Sequence, residues 1–159
     1  MTVKNIRNRN KNAHGNSLAL YQALAKARQF ELAEKTEITL PVRLALDNLF
    51  KGEQSEEDVL TLYTAIRIGL IATSKAEQLY EICNSAKAVI AEVFRQIVQQ
   101  DFRMKIQDSE KNDILNAIEI YEAIVDQITP YQMVDLLEKV EAQIHISDFV
   151  NMAKGSPSA

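Results

Sequence analysis

Residues 75–102 read KAEQLYEICNSAKAVIAEVFRQIVQQDF. Leu79, Ile82, Cys83, Ala86, Val89, Ile90, Val93, Ile97 and Val98 recur in this stretch at intervals of three or four, the period that lines one face of an α-helix. Neither Gly nor Pro interrupts it. The spacing predicts a helix from Lys75 to about Phe102, roughly 40 Å long at the helical rise. As the longest element it is expected to be the spine of the fold.

Working outward, the flanking segments carry start and stop signals of the same kind. Thr73-Ser74 precedes the spine, and Ser74 with Glu77 three residues on forms a capping-box pattern. Upstream, Ser55-Glu56-Glu57-Asp58 places a capping hydroxyl and three carboxylates at a helix start, where the dipole favours negative charge. Val59, Leu62, Tyr63, Ile66 and Leu70 continue that helix on one face. Further upstream, Thr39-Leu40-Pro41 reads as a cap with proline in the first turn, after a break at Thr36–Thr39, and Gly52 reads as a left-handed stop. An earlier helix is expected from Ser17 to about Lys35, carrying Leu18, Leu20, Tyr21, Leu24, Ala25 and Ala27.

Downstream, Asp108-Ser109 starts a helix with Ile114, Leu115, Ile118, Tyr121, Val125 and Ile128 on its stripe. Thr129-Pro130 repeats the cap-then-proline signal, and Met133, Leu136, Leu137, Val140 and Ile144 follow on one face, with continuation toward Phe149 and Val150. Only Glu37–Leu40 alternates with period two, too short for a sheet. The expected fold is all-α: a bundle of five to six helices with one long central helix and a disordered basic N-terminal arm. In domain terms, residues 1–16 form the arm, 17–154 a single helical-bundle domain and 155–159 a frayed tail. Tyr21, Phe30, Tyr63, Tyr80, Tyr121 and Tyr131 are expected near helix surfaces.

Composition agrees. With 159 residues, 47% of them hydrophobic and only 4 Gly and 3 Pro, the chain has material for one packed core and few turns. One cysteine precludes an internal disulfide. Met1–Asn16 has no apolar run of a secretory signal, and the longest apolar stretch, Ile66–Ala72, is broken by Arg67 and Gly69. These features lead us to expect a soluble cytoplasmic protein with no membrane contact. Net charge is −4, but residues 1–30 hold six cations and no acid, while the remainder carries −10.

Few residues invite chemistry. Cys83 lies on the apolar stripe between Ile82 and Ala86 and reads as a small buried hydrophobe. Neither His14 nor His145 has a neighbour in sequence that marks it as a base. Glu141 and His145 share a helix face, but a helical metal site needs Glu-x-x-His pairs on facing helices, and the chain has none. Four glycines leave hardly enough for a phosphate loop. No catalytic, cofactor-binding or metal-ligating residue is therefore assigned, and a small enzyme with an unrecognised site is kept as an alternative.

Two surfaces invite contact instead. Lys4, Arg7, Arg9 and Lys11 in the arm could neutralise phosphates or meet a partner, giving a nucleic-acid-associated alternative. Against that alternative, residues 106–159 hold ten carboxylates and three cations, a field that repels a duplex. Glu119, Glu122, Asp126, Glu138 and Glu141 make up an acidic surface suited to a basic protein partner. Self-association into a homo-oligomer is equally open.

Leu40-Pro41-Val42-Arg43-Leu44-Ala45, then GEQSEEDVLTL from Gly52 to Leu62, then AIRIG from Ala65 to Gly69 resembles small uncharacterised all-helical proteins of prophage and mobile-element regions in proteobacteria. The likeness covers roughly residues 39–85 and rests on a proline-capped helix, a glycine stop and a serine-acidic cap. It implies a bacterial or phage cytoplasm and an accessory or regulatory role acting by contact, and it assigns no site residue. The expected function is that of a non-enzymatic helical protein working through protein–protein contacts.

Overall fold

The computed structural model of the chain describes residues 28–100 and 105–143. These form five α-helices and no strand among the described residues: α1, Leu32–Lys51; α2, Glu56–Ala72; α3, Glu77–Gln99; α4, Asp108–Gln127; and α5, Pro130–Gln143. The expected basic arm, the helix start at Ser17, Tyr21, Phe102, the extension toward Phe149 and the tail at 155–159 lie outside the described residues.

Several caps form as their residues dictate. The Asp58 amide donates to Ser55 Oγ at 3.2 Å and the Ser55 amide to Asp58 Oδ2 at 3.0 Å, the reciprocal bonding of a capping box. Hydrogen bonds hold Asp58's carboxyl below its ordinary range, the Ser55 amide first among them. Gly52 closes α1 in the left-handed region at φ 74°. Before α5, the Gln132 amide donates to Thr129 Oγ1 at 3.2 Å, and the Thr129 amide to Gln132 Oε1 at 2.9 Å.

Two expected boundaries are corrected. α1 runs unbroken through Thr36–Thr39, with Pro41 in its interior. The threonines do not break it because their hydroxyls donate to carbonyls of their own helix, Thr36 to Leu32 at 3.0 Å and Thr39 to Lys35 at 2.8 Å. Pro41 removes the bond to the Glu37 carbonyl; both residues are exposed, so water can take that carbonyl. The start instead lies at Glu31, whose amide donates to Glu34 Oε2 at 2.9 Å. At the second boundary, Ser74 caps nothing: α3 begins after Ala76, which has no side-chain cap bond. Thr73 is used to end α2, its hydroxyl donating to the Gly69 carbonyl at 2.7 Å, and the Ala76 amide donates to the Thr73 carbonyl in the turn between helices.

α3 is the longest described helix at 23 residues, about 34 Å at the helical rise. It is α2, however, that packs against all four others, while α1 and α3 also meet α4. Leu62, Ile66, Ile68, Ile90, Ile114 and Ile118 are fully buried around α2. Tyr63 and Tyr121, expected near the surface, are only 7% and 4% exposed. Burial of the Tyr121 hydroxyl, with Glu122 beside it, pushes its pKa up to about 12.

Candidate interaction surfaces

The described surface has two open apolar grooves, each created by the way helices lean on α2. The first, groove A, separates α1 from α5, both of which pack on α2. Ile38, Pro41 and Val42 of α1 form one wall, and Met133 and Leu137 of α5 the other. Leu60, Thr61, Thr64, Ala65 and Ile68 of α2 make the floor. Its volume is about 480 Å³ and Glu57 is the one charged residue that lines it. Leu60 and Leu137 remain 40% and 37% exposed, so apolar surface faces water here. Glu141 lines a smaller depression next to it with Thr64, Leu137 and Val140.

Groove B lies where the end of α2 and the start of α3 meet the second half of α4. Leu79 and Ile82 face Ile120 and Ile124 across it, and the small side chains of Ala72, Ala76 and Ala123 leave the space unfilled. It measures about 550 Å³, with Glu119 as its one charged lining residue. Leu79 is 43% exposed, and Tyr80 next to it 40%.

Beneath groove B, α2 and α3 approach closely at Gly69 and Cys83. A Cβ on Gly69 would stand 3.0 Å from Cys83 Sγ, so the crossing depends on a residue without one. Cys83 is fully buried, and burial raises its thiol pKa. That is opposite to the depressed pKa of a nucleophilic cysteine, and it suits the packed hydrophobe expected on this stripe.

The structure distributes the five expected acidic residues over several places. Glu119 lines groove B. Glu122 accepts from Arg43 Nε at 2.5 Å and Nη2 at 2.8 Å, a bidentate tie between α4 and α1 that raises the guanidinium pKa. Asp126 pairs with Lys35 at 3.2 Å. Glu138 and Glu141 stand exposed on α5. Two of the five thus already face cations of their own chain. Lys4, Arg7, Arg9, Lys11, His14 and His145 lie outside the described residues.

A further cluster, missed in the sequence, joins three helices. Arg67 of α2 donates to Gln143 Oε1 at the end of α5 at 3.2 Å and lies 5.9 Å from the Tyr63 ring centroid. Its Nε is buried without a hydrogen-bond partner. Lys87 of α3 stands near it, and its ammonium pKa is lowered, first by burial and then by Arg67. No short-range pattern links positions 67, 87 and 143, so only the packing reveals them.

Among the described residues no group of three or more His, Cys, Asp or Glu is placed to hold a metal ion. No described helix is long and apolar enough to cross a membrane. No protein-family model, curated protein or solved structure matches this chain.

Proposed function

We propose that this protein works by contact, holding an amphipathic helix of a partner protein in groove B. The observation that carries this reading is the groove itself. Two rigidly packed helices, α3 and α4, present exposed Leu79 beside Ile82, Ile120 and Ile124 around an unfilled space. Exposed apolar surface of this kind is where helices dock through residues at i, i+3 or i+4 and i+7. Glu119 in the groove, on a body whose residues 31–159 carry −10, selects for basic residues flanking that apolar stripe. The likeness of residues 39–85 to prophage-region proteins supports placing this contact in a bacterial or phage cytoplasm, with an accessory or regulatory role.

The test uses two synthetic helical peptides that share a leucine stripe at i, i+4 and i+7, one flanked by lysines and its twin by glutamates. In methyl NMR of the full chain, the lysine peptide is expected to shift Leu79, Ile82, Ile120 and Ile124 and the glutamate twin to leave them in place. Glu119→Lys is expected to invert that preference, and Leu79→Glu to abolish both responses while leaving the melting temperature within about a degree or two, as for an exposed position. Shifts scattered over the whole surface, or equal responses to both peptides, sink the proposal. Signals that move on dilution without any peptide point to a second copy as occupant instead.

A further inference from the structure

Arg67 and Lys87 line neither groove, and helix packing sets them side by side. α2 and α3 are joined by the short turn Thr73–Ala76 and cross closely at Gly69 and Cys83. Arg67 stands two residues back from that crossing on α2, and Lys87 four residues on along α3, so both lie on its far side from the turn. Each is half-buried. The Arg67 guanidinium is held in place: Nη2 donates to Gln143 Oε1 at 3.2 Å, the Tyr63 ring centroid lies 5.9 Å away, and Nε is buried without an acceptor. The ion pairs of the described residues engage Arg28, Lys35, Arg43, Lys51, Arg95 and Lys139, and neither Arg67 nor Lys87 is among those cations. Half-buried like charges placed together oppose folding, and an opposite charge ordinarily offsets them. The chain holds 22 carboxylates against 18 cations, yet its described part sets none of them on these two.

We infer that Arg67 and Lys87, with the side-chain amide of Gln143, form a binding site for a phosphate group. Two cations call for a dianion, and a phosphate monoester carries a charge of about −1.5 to −2 at neutral pH. A single carboxylate would offset only one of them. Guanidinium N–H groups meet phosphate oxygens in bidentate fashion, and a lysine ammonium adds a compact point charge. Gln143 gives its Oε1 to Arg67, which leaves its Nε2 hydrogens to donate to the same anion. The state of Lys87 agrees: burial, and then Arg67, lower its pKa, and a bound dianion removes the repulsion between the two cations. Because both side chains keep one side in water, the affinity is expected to be on the order of a millimolar dissociation constant. This inference stands whether or not groove B binds a helix.

The full chain in chloride buffer provides the test, titrated with inorganic phosphate at constant ionic strength and followed by NMR of the Lys87 side-chain methylenes and the Arg67 Nε–H. Saturable shifts are expected at both residues, with none from matched chloride, and Lys87 is expected to titrate at higher pH with phosphate bound than without. Lys87→Met is expected to weaken binding about tenfold through loss of a charged contact while the chain stays folded. Lys87→Arg keeps the charge and is expected to hold the affinity within about threefold. N-acetyl-phosphoserine amide, titrated in parallel, assigns the source: tighter binding than that of free phosphate marks a phosphorylated protein side chain as the ligand, and weaker binding the free ion. Shifts that grow without saturating, or that are equal in Lys87→Met, overturn the inference. So does binding that appears only in Asp148→Asn, which would give the place to a carboxylate of the chain itself.

Discussion

The two grooves are alike in size and apolar lining, yet they arise from different causes. Groove B is a gap between helices that pack closely together: α3 and α4 share one of the two most extensive helix contacts among the described residues, and Ala72, Ala76 and Ala123 leave room at one end. Groove A is a gap between α1 and α5, each of which rests on α2. α5 itself buries little, with Met133 and Val140 its only fully buried side chains. A space between firmly packed helices is a preformed receptor. A space beside a lightly held helix has walls set by their separate contacts with α2.

The severest way to break this comparison is to remove what the grooves share. Ile66 is fully buried in α2, which supplies the floor of groove A and one end of groove B. Ile66→Ala is expected to destabilise the protein by about 2–5 kcal/mol through lost burial and a cavity, read as a lower urea midpoint at unchanged slope. Methyl signals of both grooves should broaden or move together. If only one set responds, α2 is not the common support described above.

A narrower change should separate the grooves. Gly69→Val would force a branched side chain against Cys83 Sγ, where even a Cβ stands at 3.0 Å. Overpacking of that kind costs about 1–3 kcal/mol. The strain falls where Thr73 bonds back to the Gly69 carbonyl, and Thr73 lines groove B. Leu79 and Ile124 methyls are therefore expected to move while Leu60 and Leu137 stay. Equal movement in both sets would mean that the grooves are mechanically one unit.

The helices were legible where the deciding contact spans three or four residues. Ser55 with Asp58, Thr129 with Gln132 and Gly52 each complete their cap within one turn, so residue type and spacing suffice to place them. The break expected at Thr36–Thr39 failed for a reason equally local but two-sided: a threonine hydroxyl can cap a new helix or bond back within an old one, and only the backbone shows which. Ser74 lost its cap because Thr73 next to it was engaged in closing α2. The surfaces were less legible. The acidic run on α4 stands out in composition, but Glu122 meets Arg43 79 residues away, and Asp126 meets Lys35. Likewise, a groove whose walls are Ile38 and Leu137 has no short-range signature at all.

The finest test concerns Lys87, next to the clamp on the far end of groove A's second wall. Arg67 holds α5 through Gln143, and Lys87 sets a second, partly buried cation beside it. Because burial and Arg67 lower the lysine's pKa in the folded state, the unfolded chain binds that proton more tightly. Charged Lys87 therefore costs stability at neutral pH, and the cost is relieved as pH rises through the folded-state value toward that of an ordinary lysine. Lys87→Met keeps the aliphatic stem and removes the charge. It is expected to raise stability by a few tenths of a kcal/mol, about 0.5 at most for a partly exposed site. It should also flatten the alkaline rise in melting temperature expected of the wild type. The Arg67–Gln143 contact should persist, so α5 amides would exchange no faster than before. A variant less stable than the wild type, or one whose alkaline rise survives, would show that Lys87 is stabilised by a partner rather than strained by Arg67.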